Sequence, residues 1–112
     1  MPFIAIRTKK TDCRYDVKGF GQELSNQMKI DIRRINIILD YYDEPDVFFG
    51  SGSDSPIITL TLSETNAPAF TRQLIQTTAR LAEKYFCEEK KSIAVICNSI
   101  KEGHMFLDNN FK

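Results

Sequence analysis

PFIAIRT at residues 2–8 is written again, in kind, as PIITLTL at residues 56–62. Both stretches open on proline and continue with apolar and β-branched residues, the composition of strands. Proline has no N–H to give to a ladder, so it is tolerated at the first position of a strand and not inside a central one. Two prolines therefore mark two strand starts, and the residues downstream of each decide the fold.

After the first strand comes the polar loop KKTDCRYD. Val17, Phe20, Leu24 and Met28 then fall at steps of three and four, the stripe of an amphipathic helix over about 16–29. Gly19 and Gly21 lie inside it, each at a cost of up to ~1 kcal/mol against alanine, so this helix leans on tertiary packing. INIILDYY, residues 35–42, is a continuous apolar run suited to a buried strand. The turn DEPD closes it, and VFFG at 47–50 reads as a short edge strand.

The second half repeats the order. Asn66 is placed to cap a helix, with Pro68 in its first turn. Phe70, Leu74, Thr78, Leu81 and Tyr85 line one face over 67–86, and Ile75, Ala82 and Phe86 broaden it. SIAVIC at 92–97 is the next strand, and HMF at 104–106 stands where VFF stood. Pro2 and Pro56 are 54 apart, Ile35 and Ile93 58, and Phe49 and Phe106 57. Strand, helix, strand and aromatic recur in one order, which is a duplicated β-α-β unit.

A crossover helix makes each unit right-handed with parallel strands. The expectation is an α+β chain: one domain over 1–112, repeat 1 about 2–50 and repeat 2 about 56–112. The two repeats form a four-stranded mixed sheet with two helices on one face. Phe3 and Ala5 alternate with Ile4 and Ile6, so neither side of the first strand is polar. The face without helices then needs cover, and another subunit is the expected source.

Composition narrows the function classes. Fifteen basic and fifteen acidic residues cancel, which argues against nucleic acid as a partner. No apolar run approaches the roughly 20 residues of a membrane span, and Arg7, Lys9 and Lys10 interrupt any signal-peptide pattern. Cys13, Cys87 and Cys97 form no C-x-x-C pair and read as thiols of a reducing, cytoplasmic compartment. His104 has no second ligand in sequence range, and the cluster Asp40, Asp43, Glu44, Asp46 lacks calcium-loop spacing. GSGSDS at 50–55 has neither the lysine nor the adjoining helix of a phosphate loop and reads as a flexible connector. Neither a metal nor a cofactor is expected.

A duplicated β-α-β chain of this length that starts Met-Pro resembles the tautomerase superfamily, which includes macrophage migration inhibitory factor. FFGSGSDSPIITLTL is similar to the stretch that joins the two halves in that branch, and IRRINII resembles the arginine-bearing segment of carboxymethyl-hydroxymuconate isomerase. IAVICNSIKEGHMFLDNNF is most similar to a bacterial tautomerase-like branch with no assigned activity. The resemblance implies a homotrimer whose sheets wrap into a barrel with helices outward. It also implies removal of Met1, leaving the secondary amine of Pro2 as a general base.

A base tuned near the working pH moves a proton from carbon beside a carbonyl most effectively, and burial lowers an amine toward that range. By the same resemblance Arg33 grips the carboxylate of a small anionic carbonyl substrate. Phe3, Phe49 and Phe106 are the candidate apolar wall. The chain departs from its relatives elsewhere. Ala94 and Ile96 stand where one branch has tyrosine and asparagine, and Asn36 where another has arginine. Thr59 replaces an acidic residue, and ETNAPAF lacks the arginine of the hydroxymuconate isomerase. Two classes remain open: a tautomerase or isomerase acting through Pro2, and a non-catalytic trimer that binds a small ligand or protein partner.

Overall fold

A computed structural model of the chain describes residues 2–12, 14–50, 56–86 and 93–112. Met1, the connector at 51–55, Ser92 at the expected start of the last main strand, Cys13 and Cys87 lie outside the described residues. The elements run β1 (Phe3–Lys9), α1 (Val17–Met28), β2 (Asn36–Tyr42), β3 (Ile57–Ser63), α2 (Pro68–Phe86), β4 (Ala94–Ile100), β5 (Phe106–Leu107) and β6 (Asn110–Phe111).

The main sheet has the order β2-β1-β3-β4. β1 pairs parallel with β2 from Phe3–Asn36 to Lys9–Tyr42. β3 pairs parallel with β4 from Ile57–Ala94 to Ser63–Ile100. The two units meet antiparallel along β1 and β3, Phe3 opposite Thr61 and Arg7 opposite Ile57. The repeat is thus a local two-fold, and it sends Pro2 and Pro56 to opposite ends of the sheet. Both prolines are buried.

Burial obeys the repeat. Ile4, Ile6 and Thr8 on β1, and Ile58, Leu60 and Leu62 on β3, face the helices and are buried. β2 and β4 share one alternation of half-buried and exposed positions, residue for residue. Phe20, Leu24 and Met28 of α1 and Leu74, Leu81, Ala82 and Phe86 of α2 close the core. Burying each large apolar side chain contributes roughly 1.5–3 kcal/mol. The helices bury three apiece, and the half-buried Phe70, Ile75 and Tyr85 of α2, against Val17 alone in α1, make α2 the better anchored helix.

Both glycines of α1 have a physical reason. Asp16 caps the helix, its carboxylate accepting from the N–H of Gly19 at 2.8 Å. A Cβ on Gly19 would collide with that carboxylate. At Gly21 a Cβ would lie 3.1 Å from Cδ1 of Ile37, so this glycine lets α1 sit close on β2. The helix ends with Lys29 in the left-handed conformation (φ 55°), its N–H donating to the carbonyl of Ser25.

The expected edge strand at 47–50 does not form. The chain makes a single 3-10 turn at Glu44–Asp46 and continues irregularly through 47–50. Its counterpart after β4 does pair, as the β5–β6 hairpin, Phe106 with Phe111 and Leu107 with Asn110. Asp108 and Asn109 both take positive φ (53° and 62°), the requirement of a tight two-residue hairpin turn. Asn66 does not cap α2. Its side-chain amide donates to the carbonyl of Ser63 at 2.9 Å, closing the turn, while the carbonyl of Ala67 takes the N–H of Thr71.

The helix-free face is mixed where the sequence suggested a purely apolar one. Ile38 and Ile96 stand on it, 66% and 53% exposed, together with Ala5. Arg7 and Asp40 share that face as a cross-strand pair at 4.0 Å, and Thr59 and Thr61 stand on it opposite Ala5 and Phe3. Among the described residues no helix is long and apolar enough to cross a membrane.

Candidate functional site

Pro2 immediately precedes the first residue of β1. Phe3 is flanked in register by Asn36 on one side and Thr61 on the other. The carbonyl of Pro2 accepts the N–H of Asn36 at 3.1 Å. That bond fixes the ring at the start of a central strand, where its lack of an N–H costs no ladder bond. Pro2 is buried as a residue.

A cavity of about 210 Å³ opens at this same end of the sheet, where Ser63 and Ile100 finish β3 and β4. Ile100, Met105 and Leu107 give it an apolar wall. Its charged lining is Arg34, Lys101, Lys112 and Asp108. Arg34 arrives two residues before the Asn36–Phe3 pair, on the 3-10 turn Ile32–Arg34. Lys101, Met105, Leu107 and Lys112 arrive with the hairpin beyond β4.

Arg33 is turned elsewhere. Its Nη2 donates to Oδ2 of Asp31 at 2.7 Å and its Nε reaches both carboxylate oxygens at 3.2 Å. The Asp31 carboxylate also accepts the Arg33 backbone N–H. Side-chain and backbone hydrogen bonds from Arg33, with the charge of Arg34 adding, hold the Asp31 carboxyl down at about 2. The pair is therefore intact above the ordinary carboxylate range and lost only as pH falls through about 2. Of the two neighbouring arginines, Arg34 is the one on the cavity.

The three aromatic candidates separate. Phe3 is half-buried beside Pro2. Phe106 lies at the Pro2 end but is 60% exposed, its ring 5.1 Å from that of Phe111, while its neighbours Met105 and Leu107 take the cavity wall. Phe49 lies at the Pro56 end. It packs edge-on against Tyr42 with ring centroids 5.9 Å apart, in a separate groove lined by Arg7, Asp40 and Phe48. The local two-fold explains this: residues 57 apart in the two repeats are carried to opposite ends. Within one chain Pro2, Phe3, Arg34 and the Lys101–Lys112 segment lie at one end of the sheet, and of these Arg34, Lys101 and Lys112 line the cavity while Pro2 and Phe3 do not.

Lys101, Met105, Leu107 and Lys112 escape a reading by periodicity because the hairpin does. The signal is present, since Phe-Leu-Asp-Asn-Asn-Phe places two turn residues tolerant of positive φ inside a pair of phenylalanines. Cys97 is half-buried on β4, where burial pushes its thiol up and away from the nucleophilic form. The described residues hold no group of three His, Cys, Asp or Glu that could hold a metal ion.

Comparison with solved structures places the fold. A fused 4-OT wild type symmetric trimer superposes with a TM-score of 0.77 at 13% identity, over 96% of this chain and 92% of that one. Pt0534 inactivated by 2-oxo-3-pentynoate gives 0.76 at 6% identity, over 95% and 91%. A protein of unknown function from Vibrio cholerae O1 biovar eltor gives 0.71 at 15% identity, over 99% and 87%. No protein-family model matches the chain, and no curated protein matches it. The α+β fold expected from the sequence, a four-stranded mixed sheet with two helices, is the fold found, and the fused 4-OT structures share it.

Proposed function

We propose that this tautomerase-fold chain, once Met1 is removed, isomerises a small carbonyl acid with the Pro2 amine as general base. The observation that carries the reading is the placement of Pro2. It is buried, pinned through its carbonyl to Asn36, and set at the end of the sheet where the cationic cavity opens. Burial disfavours the charged form of an amine, leaving more free base near neutral pH. The base takes a proton from carbon beside the substrate carbonyl, and the bonding pair moves into the carbonyl as an enolate. Returning the proton to oxygen or to a second carbon completes the isomerisation. No redox partner or second substrate is required.

Arg34 replaces Arg33 as the proposed grip on the substrate carboxylate, since Arg33 is taken up by Asp31. A guanidinium near the developing enolate also stabilises it, as fixed charge does wherever charge grows in a transition state. Phe3 is the proposed apolar neighbour of the base. Phe106 borders the site from the hairpin, and Phe49 reaches such a site only from a neighbouring copy. That last placement fits the homotrimer the sequence resemblance implies and the trimeric assembly of the fused 4-OT structures. Ile38 and Ile96 would be covered in such an assembly. The bacterial branch of unassigned activity and a cytoplasmic setting belong to the same reading.

One observation favours the non-catalytic alternative. Ala94 and Ile96 offer no polar side chain where the migration-inhibitory-factor branch has two, so no familiar substrate-binding set is complete. The experiment that decides is a keto–enol assay on untagged protein whose free Pro2 is verified by intact mass. A panel of keto acids, phenylpyruvate-like compounds included, should be turned over. Pro2→Ala should slow turnover by roughly 10²–10⁴, the contribution of a positioned general base. Absence of activity above buffer with a verified free Pro2 gives the chain to the binding class.

A further inference from the structure

Asp31 makes more bonds than the capping of a three-residue turn requires. Its Oδ1 accepts the backbone N–H of Arg33 at 3.0 Å, and its carbonyl accepts the N–H of Arg34 at 2.9 Å. Those two bonds close the 3-10 turn Ile32–Arg34, and an asparagine side chain would cap it as well. The carboxylate goes further. It takes Nη2 of Arg33 on Oδ2 at 2.7 Å and Nε on both oxygens at 3.2 Å. A two-pronged grip of this kind fixes where a guanidinium points as well as meeting its charge.

Among the described residues Asp31 is the only side chain bonded to Arg33, whose own side chain is 85% exposed. No packing holds Arg33 where it lies; the carboxylate does. Arg34 makes no ion pair among the described residues and lines the cavity beside Ser63 and Ile100. Consecutive Cα atoms are about 3.8 Å apart, so the two arginines start from nearly one place and differ in destination. An exposed ion pair contributes little to stability. The consequence of this one is positional, because without it a second guanidinium is free one residue from the edge of the cavity.

We propose that Asp31 is a positioning residue that restricts the anion grip of this cavity to Arg34 by holding Arg33 aside. One grip gives a carboxylate one resting place, where two neighbouring guanidinium groups would give it two. With Asp31 in place the loss of Arg34 has no substitute. Without that carboxylate Arg33 takes over, and either arginine becomes dispensable. The proposal rests on the reading of Arg34 as the grip and is independent of what Pro2 does.

The test is a double-variant cycle read by titrating phenylacetate into ¹⁵N-labelled protein at low salt. Asp31→Asn is the variant of choice, since asparagine keeps the turn capped. In the native background Arg34→Gln should weaken phenylacetate about tenfold, the loss of one charge-assisted contact. In the Asp31→Asn background the same change should weaken it by no more than about threefold. With Arg33→Gln added to that background, the Arg34 step should return to about tenfold. A general gain of positive charge on losing Asp31 would tighten binding overall and leave the Arg34 step unchanged, as would a role confined to capping. Either result overturns the proposal, and so does a compensation that survives Arg33→Gln. If phenylacetate does not bind, or Arg34→Gln costs nothing in the native background, the proposal falls together with Arg34 as the grip. Failure of the base reading looks different: the Arg34 step and its compensation are present, and no keto acid is turned over.

Discussion

Two adjacent arginines with one sequence context have different surroundings because of a single carboxylate. Asp31 caps the turn through the Arg33 N–H and then holds the Arg33 side chain at 2.7 Å, leaving Arg34 for the cavity. Steady-state kinetics on a keto acid should separate them. Arg34→Gln should raise KM by about tenfold with a smaller fall in kcat, as expected for a lost charge-assisted contact. Arg33→Gln should leave KM within about twofold, and the opposite order would mean that substrate opens the Asp31 pair. The choice between them is not legible in IRRINII, because it depends on which carboxylate is nearest in space. Pro2 is legible, since a proline that begins a central strand has few other places to stand.

At the scale of elements, period alone locates both helices and all four main strands, and the repeat fixes their order. What it misses are features that spacing does not encode. The α2 stripe puts Tyr85 on the inner face with Phe86 broadening it, and both rings do meet Phe20 of α1, Phe86 the more deeply buried; Thr77, outside the stripe, is buried as well. In place of the strand expected at 47–50 the chain runs irregularly after the 3-10 turn at Glu44–Asp46.

Two substitutions in α2 test this packing. Leu74 is fully buried, and Leu74→Ala should lower stability by roughly 2–5 kcal/mol in chemical denaturation; an unchanged midpoint would mean the side chain is not in the core. Thr78 is equally buried, and its hydroxyl has no hydrogen-bond partner among the described residues. Thr78→Val keeps the shape and removes the orphaned hydroxyl, so it should raise stability by about 1 kcal/mol. A loss of similar size would reveal a partner for that oxygen.

For the whole molecule, the repeat is the governing fact. It makes an open sheet with helices on one face, places its two prolines at opposite ends, and leaves Ile38 and Ile96 exposed on related outer strands. Analytical ultracentrifugation should find a trimer at micromolar concentration, with Ile38→Asp and Ile96→Asp shifting it toward monomer. A stable wild-type monomer would remove the proposed source of cover for that face. Weighing strand residues by hydrophobicity alone makes the open face look purely apolar. Arg7, Asp40 and the threonines become its neighbours only through the register of three strands.

The central claim is that the Pro2 nitrogen is a base poised by burial at one end of this sheet. Its direct test is a ¹⁵N titration of the terminal nitrogen in protein with verified removal of Met1. Buried at the sheet end where a cationic cavity opens, the amine should titrate below the ordinary range for a terminal amine, about 7.7–8.0. Titration within or above that range would contradict the account, since an amine charged at neutral pH is no base for carbon acids.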